Sequence, residues 1–214
     1  MKKHIPILAL SLLSSCTSLY TPKSTKQTPP QAIKPVLETK LSTTNYTAFK
    51  NSSAYPKTSN HFKDQEVFAR TSPENSHIKI SLSLQRAFLM NGSEVALDYP
   101  VSTGKQSHPT PAGSYKIREK IKDKRSNLYG KVYDASGKVI NSSADSRKAK
   151  IPEGGKFVGA SMPYWMRLTW DGIGMHVGNV PRYPASHACI RGQSALLPSV
   201  FSKVKVGTTV TIVE

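Results

Sequence analysis

The chain has 214 residues, a length that fits one domain with appended segments. It carries 30 Lys and Arg against 13 Asp and Glu, for a formal net charge of +17. Such a surface favours a polyanionic partner (nucleic acid, anionic lipid or an acidic wall polymer), although lysine-rich surfaces also serve solubility alone. Two cysteines do not make a zinc-ligand set, and no phosphate-binding glycine loop occurs, so we expect no metal and no cofactor.

The start of the chain is typical of an export signal. Lys2 and Lys3 precede a mostly apolar run over residues 5–13, which is too short for a membrane span of about 20 residues. The order small, small, cysteine that ends at Cys16 resembles a bacterial lipoprotein cleavage box. We therefore expect a signal peptide over residues 1–15 and a lipid on the cysteine. The alternative is a plain signal peptide followed by a chance cysteine.

The segment that follows predicts a tether. Over residues 16–76 Ser, Thr, Pro, Lys and Asn dominate and no apolar period is sustained, so burial cannot offset the entropy of ordering the segment. We expect a disordered tether that gives the domain reach. Thr17 stands where an aspartate would resemble an inner-membrane retention signal, which favours the outer membrane in a cell that has one. The expected protein is exported, monomeric and lipid-anchored on the periplasmic face of the envelope.

From residue 77 onwards the pattern predicts strands. Apolar and polar residues alternate from Ile78 to Leu84, which indicates a half-buried strand. Asn91-Gly92 and Asp171-Gly172 each separate two apolar runs, and this predicts two hairpins. Alternation returns over residues 210–212 and predicts a last strand.

One helix is predicted near the end of the chain, over residues 195–204. Ser194 would cap it, and Pro198 falls in its first turn, where proline is tolerated. Residues 77–214 are therefore expected to form a mainly β domain with one helix, long enough for its own core. The basic stretch over residues 116–125 is either a solvated edge strand or a patch for an anionic polymer.

Cys189 has no intramolecular partner if Cys16 carries a lipid. Such a thiol is either an inert buried residue or a reactive one, and a neighbouring imidazole both lowers the thiol pKa and accepts its proton. Two histidines lie near it in sequence, His176 and His187, and either one suits this chemistry. On a strand His176 shares a face with Gly174, which predicts open space beside the imidazole. The alternatives are a histidine that fills a strand surface and a core histidine that fixes a loop.

The segment from His176-Val177-Gly178 to Ser186-His187-Ala188-Cys189-Ile190-Arg191 resembles the catalytic signature of the bacterial L,D-transpeptidases. That signature is a histidine, a loop, then Ser/Thr-His-Gly-Cys, an apolar residue and often arginine. Residues 101–115 and 162–168 resemble further segments of the family. The resemblance covers residues 77–214 and implies a β-sandwich of mixed sheets with one helix near its C-terminal end.

The resemblance also implies roles for these residues. Cys189, a carbapenem-sensitive nucleophile, would attack the carbonyl between the L-centre of the third stem residue and the terminal D-alanine. His176 would be the general base, held by a backbone carbonyl near Val177, and the N–H groups of Ala188 and Cys189 would stabilise the oxyanion. D-alanine would leave, and an amine would resolve the thioester into a 3→3 cross-link that serves cell wall biogenesis and cell shape. The supporting residues would be Ser186, His187 and Arg191.

The segment departs from the family pattern in its short loop and at Ala188, where the signature has glycine. Alanine is penalised if this position takes a positive φ and costs little otherwise. A catalytically impaired wall-binding lipoprotein is therefore a second hypothesis. A third is another thiol acyltransferase that attaches a protein or a D-amino acid to the wall. Export argues against nucleic acid, so the expected partners are peptidoglycan stem peptides and, through the lipid, the membrane.

Overall fold

The computed structural model describes residues 45–214. The predicted signal peptide over residues 1–15, the lipidation site Cys16 and the first part of the tether lie outside the described residues. No helix within residues 45–214 has the length and apolar character needed to cross a membrane. The described helices are α1 (residues 45–50), α2 (Gln65–Arg70) and α3 (Leu197–Ser202). The described strands are β1 (Phe62–Lys63), β2 (Ser76–Ser81), β3 (Arg86–Asn91), β4 (Glu94–Ser102), β5 (Gly113–Lys116), β6 (Glu119–Tyr133), β7 (Val139–Asp145), β8 (Lys156–Arg167), β9 (Gly174–Val177), β10 (Ile190–Gly192) and β11 (Thr209–Val213).

The mainly β prediction is confirmed, and the strands form a mixed sheet. Their order is β5-β11-β2-β3-β4-β10-β9-β8-β6-β7, with β1 added beside β4. β11 runs parallel to β2 and β10 runs parallel to β9, whereas the other neighbours are antiparallel. Parallel neighbours need a crossover connection. The crossover between β9 and β10 returns the chain to β9, and this places the end of the intervening loop beside that strand.

One apolar core includes side chains from β2, β3, β4, β8, β9, β10 and β11. The parallel register pairs Val210 of β11 with Ile78 of β2, and both side chains are fully buried together with Val200 of α3. Each such side chain contributes roughly 1.5–3 kcal/mol on burial. β2 ends at Ser81, before the predicted limit at Leu84, because the Ser81 hydroxyl accepts the Leu84 N–H and closes a turn.

Both predicted hairpins are present. β3 and β4 pair antiparallel with Asn91 opposite Glu94, so the turn consists of residues 92–93, and Gly92 takes a φ of 57°. The second hairpin joins β8 to β9, with Gly172 at a φ of 108° in its loop. Glycine populates this left-handed region at little cost, which explains why each turn carries one.

The predicted helix over residues 195–204 is shorter than expected. α3 has Leu196 as its N-cap residue and no side-chain cap, so Ser194 does not cap the helix as predicted. The reason is a preceding turn, in which the N–H groups of Leu196 and Leu197 both bond to the carbonyl of Gln193. That turn satisfies donors that a capping side chain would otherwise meet.

The tether prediction is corrected for residues 45–76. Residues 45–64, here called the N-terminal strap, form α1, a run of turns and β1, which pairs with β4. Aromatic rings hold the strap together, with centroid distances of 4.7 Å for Tyr46–Phe62 and 5.6 Å for Phe49–Tyr55. These rings recur with neither a helical nor a strand period, so a search for apolar periodicity misses them.

The strap covers a buried ion pair between β3 and β4. Arg86 and Asp98 lie 2.5 Å apart, and both side chains are fully buried. The hydroxyls of Tyr46 and Tyr55 donate to the same carboxylate at 3.1 and 3.3 Å. The guanidinium donates in turn to three backbone carbonyls of the strap, those of Pro56, Thr58 and Asn60. The charges are thus matched on every side, which a buried pair requires.

Candidate active site

Cys189 lies at the end of the loop that connects β9 to β10. The parallel register sets Ile190 opposite Met175 and Arg191 opposite His176, so the thiol residue lies at the start of the same pair of strands as the histidine. The Cys189 sulfur is 3.7 Å from the carbonyl oxygen of Gly172 and is a free thiol. The fold therefore joins the two candidate residues through adjacent strands.

Burial dominates the electrostatics of the Cys189 thiol. Loss of solvent raises its pKa, while the backbone N–H of Gly174 and the charge of Arg191 oppose that rise. Both opposing groups favour the thiolate. Burial thus disfavours the Cys189 thiolate, and the Gly174 N–H and the charge of Arg191 partly offset that effect.

The His176 ring is oriented by a main-chain oxygen. Its Nδ1 lies 2.8 Å from the carbonyl of Val177, the contact expected for this histidine, and the residue is only 8% exposed. Burial lowers the pKa of His176 to about 4; the Val177 carbonyl opposes this shift and the charge of Arg191 adds to it. A neutral imidazole that donates from Nδ1 keeps its Nε2 lone pair free, as a general base requires.

The open space predicted beside His176 is absent. A Cβ on Gly174 would come within 2.5 Å of the Trp165 ring, so the indole fills the volume that glycine leaves. The Trp165 and His176 ring centroids are 6.1 Å apart, and Trp165 is almost fully buried. Because glycine has no side chain, the Trp165 ring can occupy this space and help to bury the His176 imidazole.

The loop before Cys189 has a left-handed residue. Ala188 takes a φ of 71°, where glycine is at ease and alanine is strained. Two side chains hold the carbonyl groups of Ala188 and Cys189. Thr110 Oγ1 donates to the Ala188 oxygen at 2.8 Å, and Ser186 Oγ donates to the Cys189 oxygen at 2.5 Å. Within residues 45–214, the backbone N–H groups of Ala188 and Cys189 donate to no protein oxygen.

His187 lies away from the thiol chemistry. Its ring stacks on Tyr129 at 4.6 Å between centroids and meets the edge of His108 at 4.7 Å. Its pKa is lowered, first by burial and then by the charge of Lys105. These contacts suit a residue that shapes the loop. The histidine on β9, the strand that pairs with β10 directly after Cys189, is His176.

The loop between β9 and β10, residues 178–189, is here called the catalytic loop, and three contacts from elsewhere in the chain support it. Arg182, itself at a φ of 68°, donates to the carbonyl of Lys57 in the strap at 2.6 Å. Thr110 comes from a segment that the sequence flagged only as a family resemblance. Gln85 holds Thr103, which precedes Thr110 in the chain. Its Nε2 donates to the Thr103 hydroxyl at 2.7 Å, and its Oε1 accepts the Thr103 N–H at 3.0 Å. No sequence signal identified Gln85, because its role depends on a turn.

The described residues contain no group of three or more His, Cys, Asp or Glu side chains that could hold a metal ion.

Comparisons with known proteins bear on this geometry. Residues 75–212 match the YkuD family, the L,D-transpeptidase catalytic domain. No curated protein matches the chain. An L,D-transpeptidase from Mycobacterium smegmatis is 20% identical with a TM-score of 0.50, over 65% of this chain and 59% of that one. L,D-transpeptidase 1 of Mycobacterium tuberculosis is 26% identical with a TM-score of 0.45, over 65% and 62%. An L,D-transpeptidase in complex with imipenem is 25% identical with a TM-score of 0.48, over 65% and 59%. The chain thus spans about three-fifths of the length of these structures.

Proposed function

The chain belongs to the family of L,D-transpeptidase catalytic domains, and on that premise we propose that it cross-links peptidoglycan stems through a thioester on Cys189. The observation that carries the proposal is the arrangement at the β9–β10 strands. A buried free thiol, an imidazole oriented through Nδ1 by the Val177 carbonyl and two unbonded N–H groups lie on adjoining stretches of chain.

In the first step the Cys189 sulfur attacks the carbonyl carbon between the third stem residue and D-alanine. The thiol proton passes to Nε2 of His176 and then to the amine of the departing D-alanine, so the C–N bond breaks as the C–S bond forms. Because Nδ1 is held by the Val177 carbonyl, Nε2 is the nitrogen that can accept the thiol proton, and the imidazolium then donates it to the leaving amine.

The N–H groups of Ala188 and Cys189 would bind the oxyanion that forms in this step. Their availability depends on the turn that Thr110 and Ser186 hold. Removing one such donor costs about 10²–10³-fold in rate in enzymes where it has been done. In the second step an amine attacks the thioester carbon and the C–S bond breaks as the new C–N bond forms. The amine gives up one proton through His176 to the departing sulfur, which regenerates the thiol.

The φ of 71° at Ala188 favours a second candidate, a catalytically impaired wall-binding protein. Strain at this residue would shift the loop or its oxyanion donors. Reaction with a carbapenem separates the two candidates, since a carbapenem needs the same thiol and the same donors. An L,D-transpeptidase has been solved in complex with imipenem. We expect an adduct of one imipenem mass at Cys189 by intact-mass spectrometry, and no adduct would favour the impaired protein.

The activity is tested by incubating the protein with tetrapeptide muropeptides and measuring D-alanine and cross-linked dimers. We expect both products from the unmodified protein and none from Cys189→Ala. His176→Ala should lose most of the rate, whereas His77→Ala, a histidine on β2, should keep it. Product formation that survives Cys189→Ala would contradict the proposal, and so would its absence from the unmodified protein.

We also propose that Cys16 carries the lipid and holds the protein at the envelope, with the outer membrane as the favoured site and a monomer as the working form. The support is the residue order at the start of the chain. In cells fed an alkyne fatty acid, the protein and its Cys189→Ala variant should be labelled and Cys16→Ser should not. Labelling that persists in Cys16→Ser would contradict lipidation at this residue. A light-scattering mass of one chain for the purified protein would support the monomer.

A further inference from the structure

A cavity of about 460 Å³ adjoins the catalytic loop, between that loop and the long strands β6, β7 and β8. Its walls include the rings of Tyr129 and Tyr133, and two members of the catalytic segment, His187 and Arg191, line it as well. This volume lies within the range of sites that hold small ligands or side chains. A group bound there lies against the same loop that carries the thiol.

The charge of this cavity has one sign. Arg125 and Lys131 of β6 line it together with Arg191 of β10, and its lining residues include no Asp or Glu. None of these three cations belongs to an ion pair within residues 45–214. Asp145, at the end of β7, is held by Arg147 through hydrogen bonds of 2.9 and 2.6 Å. Asp145 still acts on the lining residue His187 through its charge, but no carboxylate is paired with any of the three cations within residues 45–214.

Arg125 also has hydrogen-bond donors that the protein does not use. Arg125 donates one hydrogen bond, from Nη1 to the Gly159 carbonyl at 3.1 Å, and a guanidinium has five donors. Three cations that line one cavity without a carboxylate favour an anionic ligand group, and arginine suits a planar carboxylate in particular. Tyr129 and Tyr133 give the cavity an apolar wall for the methylene chain that would carry such a group.

We propose that this cavity, here called the cationic cavity, binds the free carboxylate at the end of the third residue's side chain in a donor stem. This deepens the proposed function and rests on it. The third residue is the one whose carbonyl becomes bonded to Cys189, so its side chain starts beside the catalytic loop that the cavity adjoins. The cavity thus selects stems with a carboxylate at this position over stems in which the group is a carboxamide.

The test uses two synthetic tetrapeptide stems that differ only in this group, carboxylate or carboxamide, with the terminal D-alanine unchanged in both. We expect kcat/KM for D-alanine release to be about ten- to a hundredfold higher for the carboxylate stem, the range of a hydrogen bond to a charged group. The double variant Arg125→Gln/Lys131→Gln should lose this preference through a slower reaction of the carboxylate stem alone. Lys138→Gln, on the exposed turn between β6 and β7, should keep it.

Binding is measured separately by calorimetry on the Cys189→Ala protein, which decides the proposal even if neither stem is turned over. Tighter binding of the carboxylate stem, lost in the double variant, supports the cationic cavity. Equal binding of the two stems overturns it, and so does an equal loss on both stems in the double variant. Inhibition by polyphosphate without discrimination between the stems would point to an acidic polymer instead and would also overturn it. Carboxylate-selective binding without D-alanine release would contradict the proposed activity alone.

Discussion

Two regions of this molecule treat positive charge in opposite ways. Under the N-terminal strap, Arg86 is fully buried against Asp98, with tyrosine hydroxyls and strap carbonyls around the pair. In the cationic cavity, Arg125 and Lys131 line a wall that carries no acid. The Arg86 guanidinium forms its hydrogen bonds within the chain, whereas the cations of the cationic cavity keep donors free for a ligand.

The difference indicates which charges serve folding and which serve binding. A buried pair recovers its desolvation cost only when geometry and surrounding hydrogen bonds are good, and removing one partner leaves an uncompensated charge. Unpaired cations at an open cavity cost little because water solvates them until a ligand arrives. Mutations in the two regions should therefore separate stability from selectivity.

The largest expected effect is that of Asp98→Ala. It leaves the Arg86 guanidinium buried without its counter-charge, and such a loss costs about 3–5 kcal/mol of unfolding free energy. The control is Glu94→Ala, which removes an exposed pair with Arg70 and should cost less than about 1 kcal/mol. Urea denaturation measures both. A loss for Asp98→Ala as small as that of the control would show that strap carbonyls alone satisfy the arginine.

The next effect is a pH dependence from His176. Its pKa is about 4 in the folded protein, lowered by burial from an ordinary 6.5. The unfolded chain therefore binds an extra proton between these values, so stability is complete above pH 6.5 and falls as the pH drops towards 4. The loss amounts to about 3 kcal/mol at full extent. We expect the urea midpoint of His176→Gln to fall less over this interval, and parallel pH profiles for the two proteins would contradict the assignment.

Sequence patterns identified the strands that repeat with period two and the turns that carry glycine, because both signals are local. They also placed the Val177 carbonyl at the histidine through the family resemblance. The N-terminal strap was missed because its aromatic rings follow no local period and pack around Arg86, which lies far along the chain. The filled space over Gly174 was missed for the same reason, because Trp165 arrives from an adjacent strand. The φ of Ala188 is set by tertiary hydrogen bonds that no local pattern encodes.

A smaller effect is expected for Ala188→Gly. The left-handed conformation costs an alanine roughly 1–2 kcal/mol, and part of the gain is offset by the greater freedom of glycine in the unfolded chain. We expect a net stabilisation of about 0.5–1 kcal/mol in urea denaturation. If the strain also displaces the oxyanion donors, the rate of D-alanine release rises with it. Gly192→Ala is the converse control, because its added Cβ would meet Leu197 at 2.9 Å and should destabilise. Unchanged stability in Ala188→Gly would show that the loop relaxes without cost.

The smallest effect concerns the link between the strap and the catalytic loop. Arg182→Ala removes the hydrogen bond to the Lys57 carbonyl, an exposed contact whose loss should cost less than about 0.5 kcal/mol. Global stability should change little, whereas amide hydrogen exchange should quicken in both the strap and the loop before Cys189, because each loses a restraint. Arg70→Ala, which removes an exposed pair without touching the loop, should leave loop exchange unaltered. If Arg182→Ala changes exchange in the strap alone, the catalytic loop is held by Thr110 and Ser186 without help from the strap, and the two regions are independent.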